Sequence, residues 1–69
     1  MMTLRINGEE RRIPEIRTLS ELLSALEIDP RSAGVAVALN RRVVARRELE
    51  TTPVRDGDQI EVVHAVQGG

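Results

Sequence analysis

Few side chains in this sequence are equipped for chemistry, and the most suggestive stretch has almost none: the chain ends His64-Ala65-Val66-Gln67-Gly68-Gly69. Cys is absent, which removes thiolate nucleophiles, disulfides and thiolate metal sites. His64 is the one His, so a zinc site would need three carboxylates beside it, an uncommon donor set. No Ser, Cys or carboxylate forms an evident triad with His64, which reads as a solvated or packed side chain rather than a catalyst. Asp56-Gly57-Asp58 has the spacing of part of a calcium loop but is far too short for an EF-hand, and reads first as a turn. Arg41-Arg42 and Arg46-Arg47 allow two readings, a basic rim for an acidic partner or a solvated face. No P-loop and no GxGxxG is present, so no catalytic residue, metal or cofactor is assigned to the chain itself.

That leaves the backbone and its terminal carboxylate. At about 7% Gly usage, two glycines fall at a given chain end in roughly one chain in 200. The pair alone therefore does not separate a frayed end from a working tail. The working reading has a physical basis. A tail without Cβ atoms threads a narrow channel and adopts dihedrals closed to other residues. Residues 66 to 69 reach at most ~13–14 Å when extended, enough to carry a carboxylate into a partner's active site. A carboxylate is ionised at neutral pH and a poor electrophile until one oxygen becomes a better leaving group, for example by adenylation. A carrier of this kind needs an ATP-using partner.

Sixty-nine residues make one domain at most, with a small core. Phe, Tyr and Trp are missing, so the core is aliphatic and no stacking platform exists for single-stranded nucleic acid. Ten basic residues, all Arg, against eleven acidic ones give a net charge of −1 and no field that draws nucleic acid or an anionic membrane. No apolar run approaches the ~18 residues of a membrane span, and the N-terminus lacks a signal-peptide core. The expected location is cytoplasmic.

The elements that must position the tail are legible in part. "MTLRI" alternates over residues 2–6, Asn7-Gly8 is a hairpin turn, and a second strand runs over about 11–15 with Ile13 as its anchor. Leu19, Leu22, Leu23 and Leu26 form one helical stripe over 19–27. Thr18 and Glu21 form a capping box, each side chain serving the other's backbone amide, and Pro30 follows as a stop. "VAVAL", 35–39, is a strand with Val35, Val37 and Leu39 on one face and Ala36 and Ala38 on the other. Asn40-Arg41-Arg42 turns into a short strand at Val43-Val44. Residues 45–55 form a connecting loop with one helical turn near Glu48. The last strand, 59–65, points Ile60 and Val62 one way and Glu61, Val63 and Ala65 the other.

One helix covers one face of a mixed sheet. The order β-β-α-β-β-β fits an α+β fold, the β-grasp or ubiquitin-like roll. Its first and last strands lie side by side in parallel, and the chain is expected to leave the sheet at its edge. Residues 1–65 form the single domain and 66–69 the flexible C-terminal Gly-Gly tail. Ala36, Ala38, Val63 and Ala65 would share the uncovered face beside the tail, a candidate docking surface.

The ordered pieces of the second half resemble the ThiS family of sulfur carriers in thiamin (thiazole) biosynthesis. They are Leu39-Asn40, Val44 to Arg46, the Asp56-Gly57-Asp58 turn, Ile60-Glu61-Val62-Val63 and Gly68-Gly69. The first half matches in layout, with Asn7-Gly8-Glu9 after a short strand and a helix starting "TLSELL". Ala45 departs from the Pro common in relatives. The resemblance implies that an E1-like adenylyltransferase activates the carboxylate of Gly69. Sulfur from cysteine, through a desulfurase, then gives a thiocarboxylate, from which thiazole synthase takes sulfur. Val66, Gln67 and Gly68 would be the tail that delivers it. Three alternatives stay open. One is the small subunit of molybdopterin synthase, whose usual Phe-rich strand is missing here. Another is a ubiquitin-like modifier, which without Lys could not build lysine-linked chains on itself. The third is a plain binding module with an incidental tail.

Overall fold

A computed structural model describes residues 1–64 of the chain. The elements are β1 (Met2–Ile6), β2 (Glu9–Ile13), α1 (Leu19–Ala25), β3 (Val35–Leu39), β4 (Arg42–Val44), a single 3-10 turn (Arg46–Glu48) and β5 (Gln59–His64). The five strands form one sheet in the order β2-β1-β5-β3-β4. β1 and β5 are parallel and the other neighbours antiparallel, a β-grasp arrangement. β5 is therefore the central strand. β1 takes one flank of β5 and β3 the other, and the expected exit of the chain at a sheet edge lies outside the described residues.

Alternation sorts the side chains. Met2, Leu4, Ile6, Ile13, Val37 and Ile60 turn inward and pack with Leu19, Leu22 and Leu23 of α1. Leu49 and Val54 complete this core from the segment between β4 and β5, which has no readable period. That segment is tied to α1 by backbone bonds, from Leu19 N–H to Thr52 C=O (3.1 Å) and Ser20 N–H to Leu49 C=O (3.0 Å). The helical turn expected near Glu48 is the 3-10 turn at Arg46–Glu48.

Two boundaries and one cap differ from the sequence reading for identifiable reasons. β2 begins at Glu9, not near 11, because Asn7 (φ 52°) and Gly8 (φ 83°) make a two-residue turn that pairs Ile6 directly with Glu9. Only Ile13 of β2 is buried, as suits a charged edge strand. α1 ends at Ala25 rather than near 27, without Pro30 as its stop. Ile28 N–H bonds Leu23 C=O (2.8 Å) and Glu27 N–H bonds Ser24 C=O (3.0 Å), a Schellman close with Glu27 in the left-handed region at φ 63°. The capping box is half reciprocal: Thr18 Oγ1 accepts from Glu21 N–H (3.3 Å), but Glu21 Oε1 accepts from the amide of Arg17 (2.8 Å), one residue before the cap.

Candidate functional site: the end of the central strand and the uncovered face

The face of the sheet opposite α1 follows from the register. Ala36 pairs with Val63, Ala38 with Glu61, and Val43 with Ala38. These residues share the outward side, while their neighbours Val37 and Ile60 point into the core. Ala36, Ala38, Val43, Glu61 and Val63 line a shallow depression of about 200 Å3, with Val37 at its floor. Val63 is 61% exposed and Val43 84% exposed, unusual for Val in a strand of a folded domain. The outward side on β1 and β2 is polar instead, carrying Thr3, Arg5, Glu10 and Arg12. The apolar ground is thus confined to the β3–β4 half and the last turns of β5. Val43 belongs to this patch by the pairing of β3 with β4; alternation within its two-residue apolar run could not assign its face.

Among the sequence candidates, Ala36, Ala38 and Val63 are brought together. Ala65 of the candidate docking surface, the tail residues Val66, Gln67 and Gly68, and the candidate modified residue Gly69 lie outside the described residues. His64 sits opposite Val35 and is exposed. It borders a cleft of about 440 Å3 shared with Asn7, Arg11, Glu27, Ile28 and Val62. Among the described residues no group of His, Asp and Glu is placed to hold a metal ion. No described helix is long and apolar enough to cross a membrane.

The acidic turn before β5 is structural. Asp56 Oδ1 accepts from Thr3 N–H (2.6 Å), and Asp58 Oδ2 accepts from Arg55 N–H (2.8 Å). Both carboxylates are spent on fixing the turn and β1. Arg41, Arg42, Arg46 and Arg47 are exposed, and Arg46 donates to the carbonyl of Ser32 (3.2 Å), tethering the 3-10 turn to the segment after α1.

Sequence reading gave Asn7 a turn and no more. In the fold its side-chain amide reaches across to the last strand: Oδ1 accepts from Val62 N–H (2.8 Å) and Nδ2 donates to Val62 C=O (3.2 Å). The chain positions are 55 apart, and only the parallel β1–β5 pairing brings them together.

The ThiS family model matches residues 4–69. The sulfur carrier protein ThiS of Thermus thermophilus is 42% identical over 64 residues, covering 93% of this chain and 95% of that protein. The thiazole synthase of Paramagnetospirillum magneticum is 40% identical over 68 residues, 99% of this chain but only 20% of that protein. The crystal structure of the thiamine biosynthesis protein ThiS of Geobacter metallireducens superposes with a TM-score of 0.79 at 34% identity, covering 99% of this chain and all of that one.

Proposed function

This chain belongs to the ThiS family, the sulfur carriers of thiamin biosynthesis, and from that premise we propose that its working group is the carboxylate of Gly69. An E1-like adenylyltransferase joins one carboxylate oxygen to the α-phosphate of ATP and releases pyrophosphate. AMP then departs with that oxygen as the outer sulfur of a desulfurase persulfide, drawn from cysteine, bonds the acyl carbon. A thiol reductant cleaves the resulting S–S bond, leaving a thiocarboxylate and being oxidised to a disulfide. Thiazole synthase accepts the sulfur. The carrier performs no catalysis of its own; the reactions belong to its cytoplasmic partners. The observation that carries this reading is the family match, which runs through Gly68-Gly69 to the last residue. Alignment of 99% of the chain with a fifth of two proteins named thiazole synthase supports that enzyme as the acceptor.

The division of labour follows from the fold. Stability comes from a core whose buried residues end at Ile60 among those described. Docking is assigned to Ala36, Ala38 and Val63, the apolar ground on β3 and β5, together with Ala65, the residue after His64 in sequence. Delivery is assigned to Val66, Gln67 and Gly68, which carry no bulky side chain after Gln67.

Adding one Ala after Gly69 tests the reading. It lengthens the tail by roughly 3.5 Å, as large as the whole separation of reacting atoms, and places a Cβ where a glycine channel is required. Activation by the adenylyltransferase is expected to fall at least about 100-fold, with the melting temperature unchanged. Full activity of the extended protein would remove the glycine end from the mechanism.

A further inference from the structure

The end of β5 has a fastening that the carrier reading does not assign. β1 and β5 run in parallel, with Arg5 N–H on Asp58 C=O (3.0 Å) and Asn7 N–H on Ile60 C=O (2.9 Å). The next rung would need another β1 residue beside Val62. None is available, because the chain turns at Asn7-Gly8 into β2. The Asn7 amide fills the rung. It presents one acceptor and one donor in the shape of a peptide group, and takes both the N–H and the C=O of Val62.

Asn suits this position on two counts. It tolerates the left-handed conformation at φ 52° better than other residues with a side chain. Its amide also supplies both polarities, whereas Asp would turn an oxygen toward the Val62 carbonyl and Leu would offer nothing. The peptide groups of Val62 are thereby held on the β1 side by a side chain and on the β3 side by the sheet. Beyond Val62 only β3 accompanies the strand, through Ala36 opposite Val63 and Val35 opposite His64.

We propose that Asn7 is a positioning residue for the tail: its amide fixes the β1 side of β5 at Val62, and so holds the last two residues of the strand, Val63 and His64, in one direction beside the docking patch. Five residues follow His64, a reach of at most roughly 17 Å. A shift of the strand's end moves the origin of the tail by as much, and misplacement by about 1 Å is enough to cost on the order of 100-fold in rate. Holding the base in advance also reduces what must be ordered when a partner takes the tail. The inference rests on the carrier reading for its functional consequence and on the hydrogen bonds alone for its structural one.

The test uses two Asn→Gly variants that keep the positive φ of their turns and remove only the amides. Asn7→Gly loses the clamp on Val62. Asn40→Gly is the control at the other end of β5, where Asn40 Oδ1 accepts from Gln59 N–H (3.0 Å) and Nδ2 donates to Asp58 (3.2 Å). Amide exchange and steady-state adenylation are read on both. In Asn7→Gly the Val62 amide loses protection while that of Leu4 keeps it. Its kcat falls at least about tenfold with KM within about threefold, since the docking patch persists. Asn40→Gly retains wild-type kcat and KM in the folded protein. Retained Val62 protection in Asn7→Gly would overturn the proposal, as would an unchanged kcat or an equal loss of kcat in Asn40→Gly. Failure of the unaltered protein to be adenylated would count against the carrier reading instead, and the exchange arm would still decide the clamp.

Discussion

At its N-terminal end β5 starts inside a web of hydrogen bonds, whereas at its C-terminal end one side chain and one strand hold it. Gln59 exchanges bonds with Asn40 through both its N–H and its C=O (3.0 and 2.7 Å). Asp58 before it binds the Arg55 amide and the Asn40 amide group, and Asp56 binds Thr3. Gly57 donates to Thr3 C=O (2.7 Å) with its φ at 89°, a conformation open to glycine. These groups join β1, β5 and the β3–β4 hairpin at one point. The other end has Asn7 on Val62, then pairing to β3 alone. Both ends use an Asn in a left-handed hairpin position, with φ 52° at Asn7 and 50° at Asn40, so the same local chemistry serves two purposes. One end closes the fold. The other, on the proposed reading, aims the strand from which a partner takes the tail.

Breaking the first end should cost the most stability. Asp58→Ala strands the Arg55 amide and removes the partner of Asn40 Nδ2. The expected loss is about 1–3 kcal/mol by denaturant titration, with adenylation kinetics unchanged in the folded protein. A loss of kcat without a loss of stability would erase the distinction between the ends. A gain of about 0.5–1 kcal/mol is expected from Arg41→Gly, because Arg41 holds a φ of 71° in a turn that favours glycine at its second position. A thermal melt that moves down instead would show that the Arg41 side chain contributes more than its backbone costs. The smallest effect on folding is expected at Val63→Asp, about 1 kcal/mol or less, since Val63 is well exposed. Its affinity for the adenylyltransferase should nonetheless fall at least about tenfold, because docking would bury an unpaired carboxylate. Unchanged affinity in a pull-down or titration would move the docking surface off this face.

The sequence carries its strongest signals where local chemistry and fold agree. The Leu stripe of α1, the Asn7-Gly8 turn and the alternation of "VAVAL" all answer to periods of 3.6 or 2, and all are found. β2 was displaced by two residues because an edge strand buries little, leaving one apolar residue to read. Leu49 and Val54 were silent because a 3-10 turn and extended chain share no single period, although both residues lie in the core. The site divides in the same way. The outward faces of Ala36, Ala38 and Val63 follow from alternation within two strands. Val43 and the second task of Asn7 require knowing which strands are neighbours, and that information is not local.

The central claim is that Gly69 carries sulfur, and intact-mass measurement addresses it directly. The protein is incubated with the adenylyltransferase, ATP, cysteine, the desulfurase and a thiol reductant, then weighed and fragmented. The account predicts a mass increase equal to the replacement of one oxygen by one sulfur, located at Gly69 and absent when ATP is withheld. An unchanged mass, with enzymes shown to load another carrier, would contradict it.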